Sequence, residues 1–268
     1  MEENLNIISR RIRREIIKLI YEAGSGHPGG SLSIVDILTV LYFKEMNISK
    51  SNFINPDRDR FVLSKGHSAP AIYATLKEKG ILDESDMKNF RQVDGILQGH
   101  PDMRKIPGID MTTGSLGQGI SAAVGMAIAG KMDKKDYRVY CVLGDGEIEE
   151  GQVWEAAMSA SHYKLDNLCI IIDNNNLQID GAITDVMSSY PIDKKFESFG
   201  FSVINIDGHN FDEIENAFIE ARKTKNKPTA IVAKTIKGKG VSYMENKVEW
   251  HGKAPSSELY EQALKELE

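Results

Sequence analysis

The sequence predicts an α/β fold whose sheet is parallel and covered by helices on both faces. Strand-like and helical segments alternate along the chain, and the strand-like segments 139–143 and 168–172 are hydrophobic at every residue. Such continuous runs are typical of strands that are buried on both faces, because neither side of the strand meets water. In sheets of this kind, ligands bind beside the carboxyl ends of the strands.

The first half of the chain is predicted to be mainly helical. Apolar residues recur at helical spacing in 5–20, and four glycines and a proline in 24–30 end this helix in a loop. A second helix is predicted for 31–46 and a short strand for 60–64. Residues 116–131 are predicted to form a helix rich in Gly, Ala and Ser, which allows close packing.

The second half of the chain alternates regularly between strands and helices. Strands predicted at 138–143 and 168–173 flank a helix at 151–163, and together they make a βαβ unit. The remaining predicted elements are strands at 202–206 and 229–234, a helix at 211–224 and an exposed helix at 256–267.

The composition is that of one globular domain, which we expect to span residues 1–268. Of these 268 residues, 41% are hydrophobic and 27% are charged, which allows a sizeable buried core. The formal net charge of −6 provides no basic surface for nucleic acid, so we expect a small ligand instead.

Cysteine use and hydropathy predict a cytoplasmic protein. Cys141 and Cys169 fall in apolar runs, where they are expected to be buried thiols in a reducing compartment. Residues 1–15 do not have the apolar stretch of a signal peptide, and no later run is long enough to span a bilayer. We therefore expect no membrane partner.

Polar residues directly follow both strands of the βαβ unit. Gly144, Asp145 and Gly146 come after the first strand, and the three asparagines 174–176 come after the second. Neighbouring strands lie about 5 Å apart, so a carboxylate and an amide oxygen there can reach one hard cation, for which Mg²⁺ is the natural candidate. Gly146 allows the backbone to approach phosphates, and the following helix offers N-terminal amides. From the residues alone, Asn175 also suits an Asx turn that ends the strand.

This arrangement resembles the thiamine diphosphate-binding motif. The match consists of Gly144-Asp145-Gly146, the 27 residues 147–173, and then Asn174-Asn175. The wider segment 144–181 is similar to transketolases in particular, through Glu150-Gly151, Glu155-Ala156, Lys164-Leu165, Asn167-Leu168 and Ile179-Asp180-Gly181.

The resemblance implies a thiamine diphosphate-binding fold with a metal-bound cofactor. Asp145 and Asn175 are then the side-chain ligands of Mg²⁺, for which Ca²⁺ or Mn²⁺ would be substitutes. Leu177 stands where the family provides a backbone carbonyl ligand, and Gly146 and Asn175 are expected to contact the cofactor itself.

Four histidines lie in segments punctuated by glycine or proline. These segments are Ser25-Gly26-His27-Pro28-Gly29, Leu63-Ser64-Lys65-Gly66-His67, Gly99-His100-Pro101 and His251-Gly252. Taken alone, a loop histidine is more often a surface or capping residue than a catalytic one. The first three segments, however, match transketolase motifs in the same order, and in that family they line the cofactor and substrate channel.

The resemblance implies a role for each of these four histidines. His67 is expected to bind the diphosphate, and His100 to hold a terminal hydroxyl of the sugar. His27 and His251 are expected to hold and deprotonate hydroxyls of the donor sugar, with His251 also contacting the cofactor. All four would act as neutral imidazoles near neutral pH.

Residues 113–119 resemble the loop that packs under the cofactor in transketolases. Gly114, Ser115 and Leu116 are its expected cofactor contacts, with Leu116 against the rings. The familiar loop has proline where Ser115 stands. From the residues alone, Ser115 is also a candidate N-cap of the helix that follows.

The activity implied by the resemblance is a two-carbon transfer in the pentose phosphate pathway. A glycolaldehyde unit would pass from xylulose 5-phosphate to ribose 5-phosphate or erythrose 4-phosphate through the ylid of thiamine diphosphate.

The resemblance covers only the diphosphate-binding part of such an enzyme. We therefore expect a partner, the C-terminal transketolase subunit, in an assembly of two chains of each kind. Glu150 would face this interface, although a carboxylate that interacts with the helix dipole is the alternative.

Four other functions are compatible with parts of the sequence. The first subunit of a 2-oxo acid dehydrogenase has a similar Gly-Asp-Gly motif but not this set of histidines. The remaining alternatives are an enzyme like deoxyxylulose-phosphate synthase, a transketolase-like enzyme with an unusual sugar, and a module that binds the cofactor without catalysis.

Three further features lie outside these motifs. His162 falls within a predicted helix and is expected to be structural, whereas His209 receives no role. For Lys237-Gly238-Lys239-Gly240, a solvated turn is favoured over a flap that closes on phosphate.

Overall fold

Five parallel strands form the sheet of the computed structural model, which describes residues 4–268. They lie in the order β1-β2-β3-β5-β4, with every pair parallel. The strands are β1 (Arg60–Leu63), β2 (Val139–Gly144), β3 (Leu168–Asn174), β4 (Ser202–Asp207) and β5 (Thr229–Lys234). Each corresponds to a strand predicted from the sequence, and the predicted parallel sheet is confirmed.

The helices lie on both faces of this sheet, as predicted. They are α1 (Leu5–Ala23), α2 (Pro28–Ser33), α3 (Val35–Val40), α4 (Ala69–Glu78), α5 (Glu84–Met87), α6 (Gly119–Met132), α7 (Gly151–His162), α8 (Ile183–Val186), α9 (Ile192–Ser198), α10 (Phe211–Lys223) and α11 (Ser257–Glu266). Helices α1, α3, α4 and α10 contribute to one hydrophobic core, and α6, α7 and α9 to the other.

Alternate side chains of each central strand enter opposite cores. In β2, Tyr140 and Val142 pack with α1 and α10, whereas Cys141 and Leu143 pack with α6 and α7. Successive side chains of a strand point to opposite faces, so a strand between two helical layers must be apolar on both. This requirement explains the uninterrupted hydrophobic runs in the sequence.

The segment predicted as one helix over 31–46 is divided into three parts. Helix α2 begins at Pro28, inside the predicted loop 24–30, and a break at Ile34 separates it from α3. Proline suits the first turn of a helix because its missing N–H needs no partner there. Residues Leu41–Glu45 form a π-helical turn, in which the amide of Met46 donates to the carbonyl of Leu41.

Helix α6 begins three residues later than predicted, and Ser115 is not its N-cap. The N-cap position belongs to Gln118, and Gly117 before it has a φ of 80°. A positive φ is incompatible with a right-handed helix, so the loop continues through Gly117. At the other end of the chain, the predicted exposed helix α11 buries one face, since Ala263 is inaccessible.

Both cysteines are free and buried, as predicted. Burial raises the pKa of Cys169 to about 12 and also raises that of Cys141. No helix within residues 4–268 is long and apolar enough to cross a membrane. The first three residues of the N-terminal segment 1–15 lie outside the described residues.

Replacing Ile16 of α1 with alanine should destabilise the protein strongly. Its side chain is fully buried in the core beside the sheet, so truncation leaves a cavity that costs about 2–5 kcal/mol. Urea denaturation measures this loss. Ile7 of the same helix is 41% exposed, and its replacement with alanine should cost no more than about 0.5 kcal/mol. Equal losses for the two variants would contradict this packing.

Candidate functional site

A cavity of about 290 Å³ lies at the carboxyl ends of β1, β2 and β3. The predicted site residues that line it are His27, His67, Gly114, Leu116, Asp145, Gly146, Asn175, Leu177 and His251. Ser115 and His100 are not among the lining residues. His100 lies next to the cavity, because a Cβ added at Gly114 would be 3.1 Å from its ring.

The predicted metal ligands come together as the sequence implied. Strands β2 and β3 are neighbours, with Gly144 opposite Asp173, so Asp145 and Asn175 leave the sheet side by side. The carboxylate of Asp145 accepts hydrogen bonds from the amides of Gly146 and Asn176. Burial raises the pKa of Asp145 to about 7, and the carboxylate of Asp173 adds to this effect. A bound cation would favour the charged form.

Asp173 determines how the side chain of Asn175 is oriented. The amide nitrogen of Asn175 donates to Asp173 Oδ2 over 3.1 Å, so its carbonyl oxygen Oδ1 points the other way. That oxygen accepts the amide of Leu177 over 3.1 Å, which is the Asx turn that the sequence allowed. The turn and a metal-binding role are compatible, because a carbonyl oxygen has two lone pairs.

Lys65 lines the cavity and forms a buried ion pair with Asp173. Lys65 also donates to the carbonyl of Gly30, while Asp173 accepts the hydroxyls of Ser33 and Thr235. Burial opposes ionisation of Asp173, but the Lys65 ammonium and these hydrogen bonds outweigh it and keep its pKa below the usual value. Buried charges are stable only when they are paired in this way.

Three of the predicted histidines form a triangle over the cavity. The ring centroids of His27, His67 and His251 are separated by 5.3 to 5.4 Å. Burial lowers the pKa of His27 to about 4 and that of His251 to about 3, and nearby cationic groups add to both shifts. Burial also lowers the pKa of His67 and His100. The rings are therefore neutral at physiological pH, as expected from the sequence.

Lys237 lines the cavity, so the interpretation of residues 237–240 as a solvated turn is wrong for this residue. Its side chain is only 2% exposed, and Nζ lies 3.2 Å from the carbonyl of Leu177 and 3.0 Å from His251 Nδ1. Burial lowers the pKa of Lys237 to about 8. The amide of Gly238 donates to the carbonyl of Gly29, which turns the lysine inward.

Sequence reasoning assigned no role to Lys65, Asp173 or Glu147 at this site. Asp173 ends an otherwise hydrophobic strand, and Lys65 lies within the motif Ser64-Lys65-Gly66-His67. A charged residue at the end of a buried strand needs a buried partner, so Asp173 was the available signal for an ion pair at this site. Nothing in the local sequence around Glu147 identifies its distant hydrogen-bond donors.

The other two histidines lie away from the cavity. His209 Nδ1 lies 2.8 Å from Asp36, and its Nε2 accepts the amide of Ile236, so it joins α3 to the segment after β5. His162 is exposed at the end of α7 and packs on the ring of Tyr163. Glu150, also exposed, occupies the N-cap position of α7 but makes no side-chain capping bond.

The family model for the transketolase thiamine diphosphate-binding domain matches residues 6–267. The chain belongs to the transketolase family. It is 43% identical over 265 residues to one subunit of the apulose-4-phosphate transketolase of Phocaeicola vulgatus, a match that covers 99% of this chain and 94% of that protein. It is 46% identical over 268 residues to a 6-deoxy-6-sulfo-D-fructose transketolase subunit of Clostridium sp. strain MSTE9, covering 100% and 96% of the two chains.

The fold is also that of solved transketolases. The transketolase of Campylobacter jejuni superposes with a TM-score of 0.93 at 34% identity, over 100% of this chain and 43% of that one. The chain therefore spans less than half of this longer transketolase but nearly all of the two subunit relatives. The family and fold inferred from the motifs are confirmed, which favours a transketolase over a 2-oxo acid dehydrogenase subunit.

The transketolase-type cavity has the chemistry that a metal-bound diphosphate requires. Oxygen atoms are available from Asp145, Asn175 and Leu177, and a hard cation prefers such ligands. His67 and Lys237 provide nitrogen donors in the same cavity, where Lys237 Nζ lies 3.2 Å from the carbonyl oxygen of Leu177, and His27 Nδ1 is buried without a hydrogen-bond partner. Residues 4–268 contain no cluster of three or more His, Cys, Asp or Glu that could hold a metal.

Replacing Lys65 with methionine should destabilise the chain by about 3–5 kcal/mol, because Asp173 would be left buried and unpaired. Urea denaturation measures the loss. As a control, Lys194→Met removes an ion pair whose side chains are 65% and 45% exposed, and it should cost less than about 1 kcal/mol. A Lys65→Met variant as stable as the Lys194→Met variant would contradict the role assigned to the buried pair.

The rings of His27 and His251 should remain neutral from about pH 5 to about pH 8. Their NMR signals in the folded chain should show no inflection in this range, whereas those of the denatured chain should titrate near about 6.5. Because the unfolded chain binds more protons below that value, acidification from about pH 6.5 to about pH 4 should lower the free energy of unfolding. An inflection near about pH 6.5 in the folded chain would contradict burial of these rings.

Proposed function

We propose that this chain is the N-terminal subunit of a two-chain transketolase that binds thiamine diphosphate through Mg²⁺. The observation that supports this most directly is the cavity in which a triangle of neutral histidines faces an oxygen cluster at the edge of the sheet. We further propose that residues 1–268 form a single cofactor-binding domain of a cytoplasmic enzyme.

In this proposal, the metal is held by Asp145 Oδ, Asn175 Oδ1 and the carbonyl oxygen of Leu177. Asp145 and Asn175 directly follow the adjacent strands β2 and β3, whose register pairs Gly144 with Asp173, and Leu177 lies two residues beyond Asn175. Three protein oxygens leave room for diphosphate oxygens and water in an octahedral shell, which is the arrangement Mg²⁺ favours. Ca²⁺ or Mn²⁺ would be expected to replace it.

The diphosphate would be held by His67, by Lys237 and by the backbone at Gly146. A Cβ at Gly30 would lie 3.4 Å from His67 Nε2 and 3.3 Å from Lys65 Nζ, so the absence of a side chain there keeps room for phosphate. Leu116 is 37% exposed and presents an apolar surface for the cofactor rings, beside Gly114 and Ser115. When bound, thiamine diphosphate supplies the carbon nucleophile and the electron sink for cleavage of a ketose.

His27, His100 and His251 would act on the sugar. A neutral imidazole presents one N–H donor and one acceptor nitrogen, so each ring can hold a hydroxyl and accept its proton. His27 and His251 face each other across 5.4 Å, and His100 lies at the edge of the cavity. We propose a sugar phosphate as substrate, with xylulose 5-phosphate as donor and ribose 5-phosphate or erythrose 4-phosphate as acceptor.

Exposed apolar residues around the cavity support a partner subunit. Ile179 lines the cavity yet is 64% exposed, and Leu116, which also lines it, is 37% exposed. Surfaces of this kind mark protein interfaces. We propose that a C-terminal transketolase subunit covers them, in an assembly of two chains of each kind, with Glu150 at the interface.

Two-carbon transfer from xylulose 5-phosphate to ribose 5-phosphate tests the proposed function. With thiamine diphosphate, Mg²⁺ and the candidate partner subunit, the chain should be active, whereas the chain alone should not. Asp145→Ala should lower the activity of the complex to about one hundredth or less, because a metal ligand contributes several kcal/mol of charge stabilisation. Coupled absorbance assays of the aldose product measure the rate.

Two controls accompany this assay. Asp212→Ala removes an exposed carboxylate from the first turn of α10, outside the cavity, and should leave the rate unchanged. Light scattering should show the four-chain assembly for both variants, and one-to-one particles would contradict the proposed stoichiometry. A stable complex that is inactive with these sugars but active with apulose 4-phosphate or 6-deoxy-6-sulfo-D-fructose would overturn the proposed substrates and retain the reaction type.

A further inference from the structure

Glu147 lines the cavity, and its carboxylate accepts hydrogen bonds from three separate segments of the chain. Its Oε1 accepts the hydroxyl of Ser64 and the amide of Gly117, the latter over 2.9 Å. Its Oε2 accepts the amide of Gly144 over 3.0 Å. Glu147 is 3% exposed and begins the short 3₁₀ turn that follows Gly146.

Each of these three donors is close in sequence to residues that form the cavity. Ser64 leads into Lys65 and His67, Gly117 directly follows Leu116, and Gly144 directly precedes Asp145. One buried side chain therefore connects three parts of the cavity. They are the segment that contains the proposed diphosphate ligand His67, the loop proposed to lie under the cofactor rings, and the strand end that precedes the proposed metal ligand Asp145.

Close packing leaves these segments little freedom to adjust independently. A Cβ at Gly66 would lie 2.7 Å from the amide nitrogen of Gly114, and a Cβ at Gly119 would lie 2.5 Å from Ser64 Oγ. There is no room for a side chain at either glycine, so the backbones lie close together and a shift of one segment displaces the next. The hydrogen bonds of Glu147 join these segments.

A carboxyl group satisfies all three partners, whereas glutamine does not. The amides of Gly117 and Gly144 bond to different oxygens of Glu147 and can only donate, so glutamine would turn an NH₂ group, which cannot accept, towards one of them. A carboxyl group is costly to bury, and these three hydrogen bonds offset that cost.

We propose that Glu147 is a positioning residue of the cofactor site, which holds the 64–67 segment, the 114–117 loop and the Gly144–Gly146 turn in the geometry that binds thiamine diphosphate. It acts through these segments and need not touch the cofactor. This inference rests on the proposed function, and its test must separate the two.

The test compares Glu147→Gln with the parent chain in two measurements at a temperature where both are folded. Calorimetric titration with thiamine diphosphate and Mg²⁺ should show binding weakened about tenfold or more, the consequence of leaving buried backbone donors unpaired. Hydrogen exchange of the cofactor-free chain should become faster at the amides of Gly117 and Gly144, which is a readout that does not depend on the cofactor.

Asp59 provides a matched control. This buried carboxylate accepts the amides of Asn47 and Arg138 over 2.8 Å each, next to the amino-terminal ends of β1 and β2 and so at the edge of the sheet away from the cavity. Asp59→Asn should lower the unfolding temperature without changing cofactor affinity by more than about twofold, because distant sites do not couple. If Glu147→Gln and Asp59→Asn both lose cofactor affinity in proportion to their loss of thermal stability, Glu147 has only a structural role and the proposal is wrong.

The outcomes distinguish the positioning role from the proposed function. If the parent chain binds thiamine diphosphate and Glu147→Gln binds it equally well, the positioning role is wrong and the function stands. If the parent chain and its complex with the partner both fail to bind thiamine diphosphate, the proposed function is wrong, while faster hydrogen exchange in Glu147→Gln would still support the structural link.

Should Glu147→Gln fail to fold, Ser64→Ala provides a milder test because it removes one donor only. It should weaken cofactor binding and accelerate hydrogen exchange at residues 64–67, and values equal to those of the parent chain would overturn the proposal.

Discussion

The buried ion pair between Lys65 and Asp173 is the interaction on which the rest of the site depends. Asp173 is the penultimate residue of β3, the central strand of the sheet, and it also receives hydrogen bonds from Ser33 and Thr235. One ion pair thus joins α2, the end of β1, the end of β3 and the segment after β5. Because a buried charge without its partner is costly, these four parts of the chain can only assemble in one arrangement. The orientation of Asn175 follows from the same carboxylate.

The cavity beside this ion pair is lined by both oxygen and nitrogen groups. Carboxylate, amide and carbonyl oxygens come from the segments that follow β2 and β3, and imidazole and ammonium nitrogens come from the loops, with Lys237 Nζ 3.2 Å from the carbonyl oxygen of Leu177. Burial keeps the histidines neutral, so they can exchange protons with hydroxyl groups, and it lowers the pKa of Lys237 to about 8. The chain therefore provides positioning, charge and proton acceptors, and the carbon chemistry is left to the cofactor.

The parts of this arrangement that depend on local sequence were predictable. Hydrophobic runs located the central strands, and Gly144-Asp145-Gly146 with Asn175 located the edge of the sheet that borders the cavity, because parallel neighbouring strands end together. Features that depend on distant contacts were not. The break at Ile34 carries no proline or glycine of its own, the inward turn of Lys237 depends on Gly29, and the partners of Glu147 are up to 83 residues away. Sequence spacing contains no signal for such contacts.

We infer that the ends of β2 and β3 hold a metal-bound thiamine diphosphate. Crystals of the chain grown with its partner, thiamine diphosphate and Mn²⁺ would show whether they do, since anomalous scattering locates the metal independently of the protein atoms. We expect one strong peak per chain within ligand distance, about 2.0–2.6 Å, of oxygens of Asp145, Asn175 and Leu177, with the diphosphate extending towards His67. A peak elsewhere, or a cofactor bound with no metal at these oxygens, would contradict it.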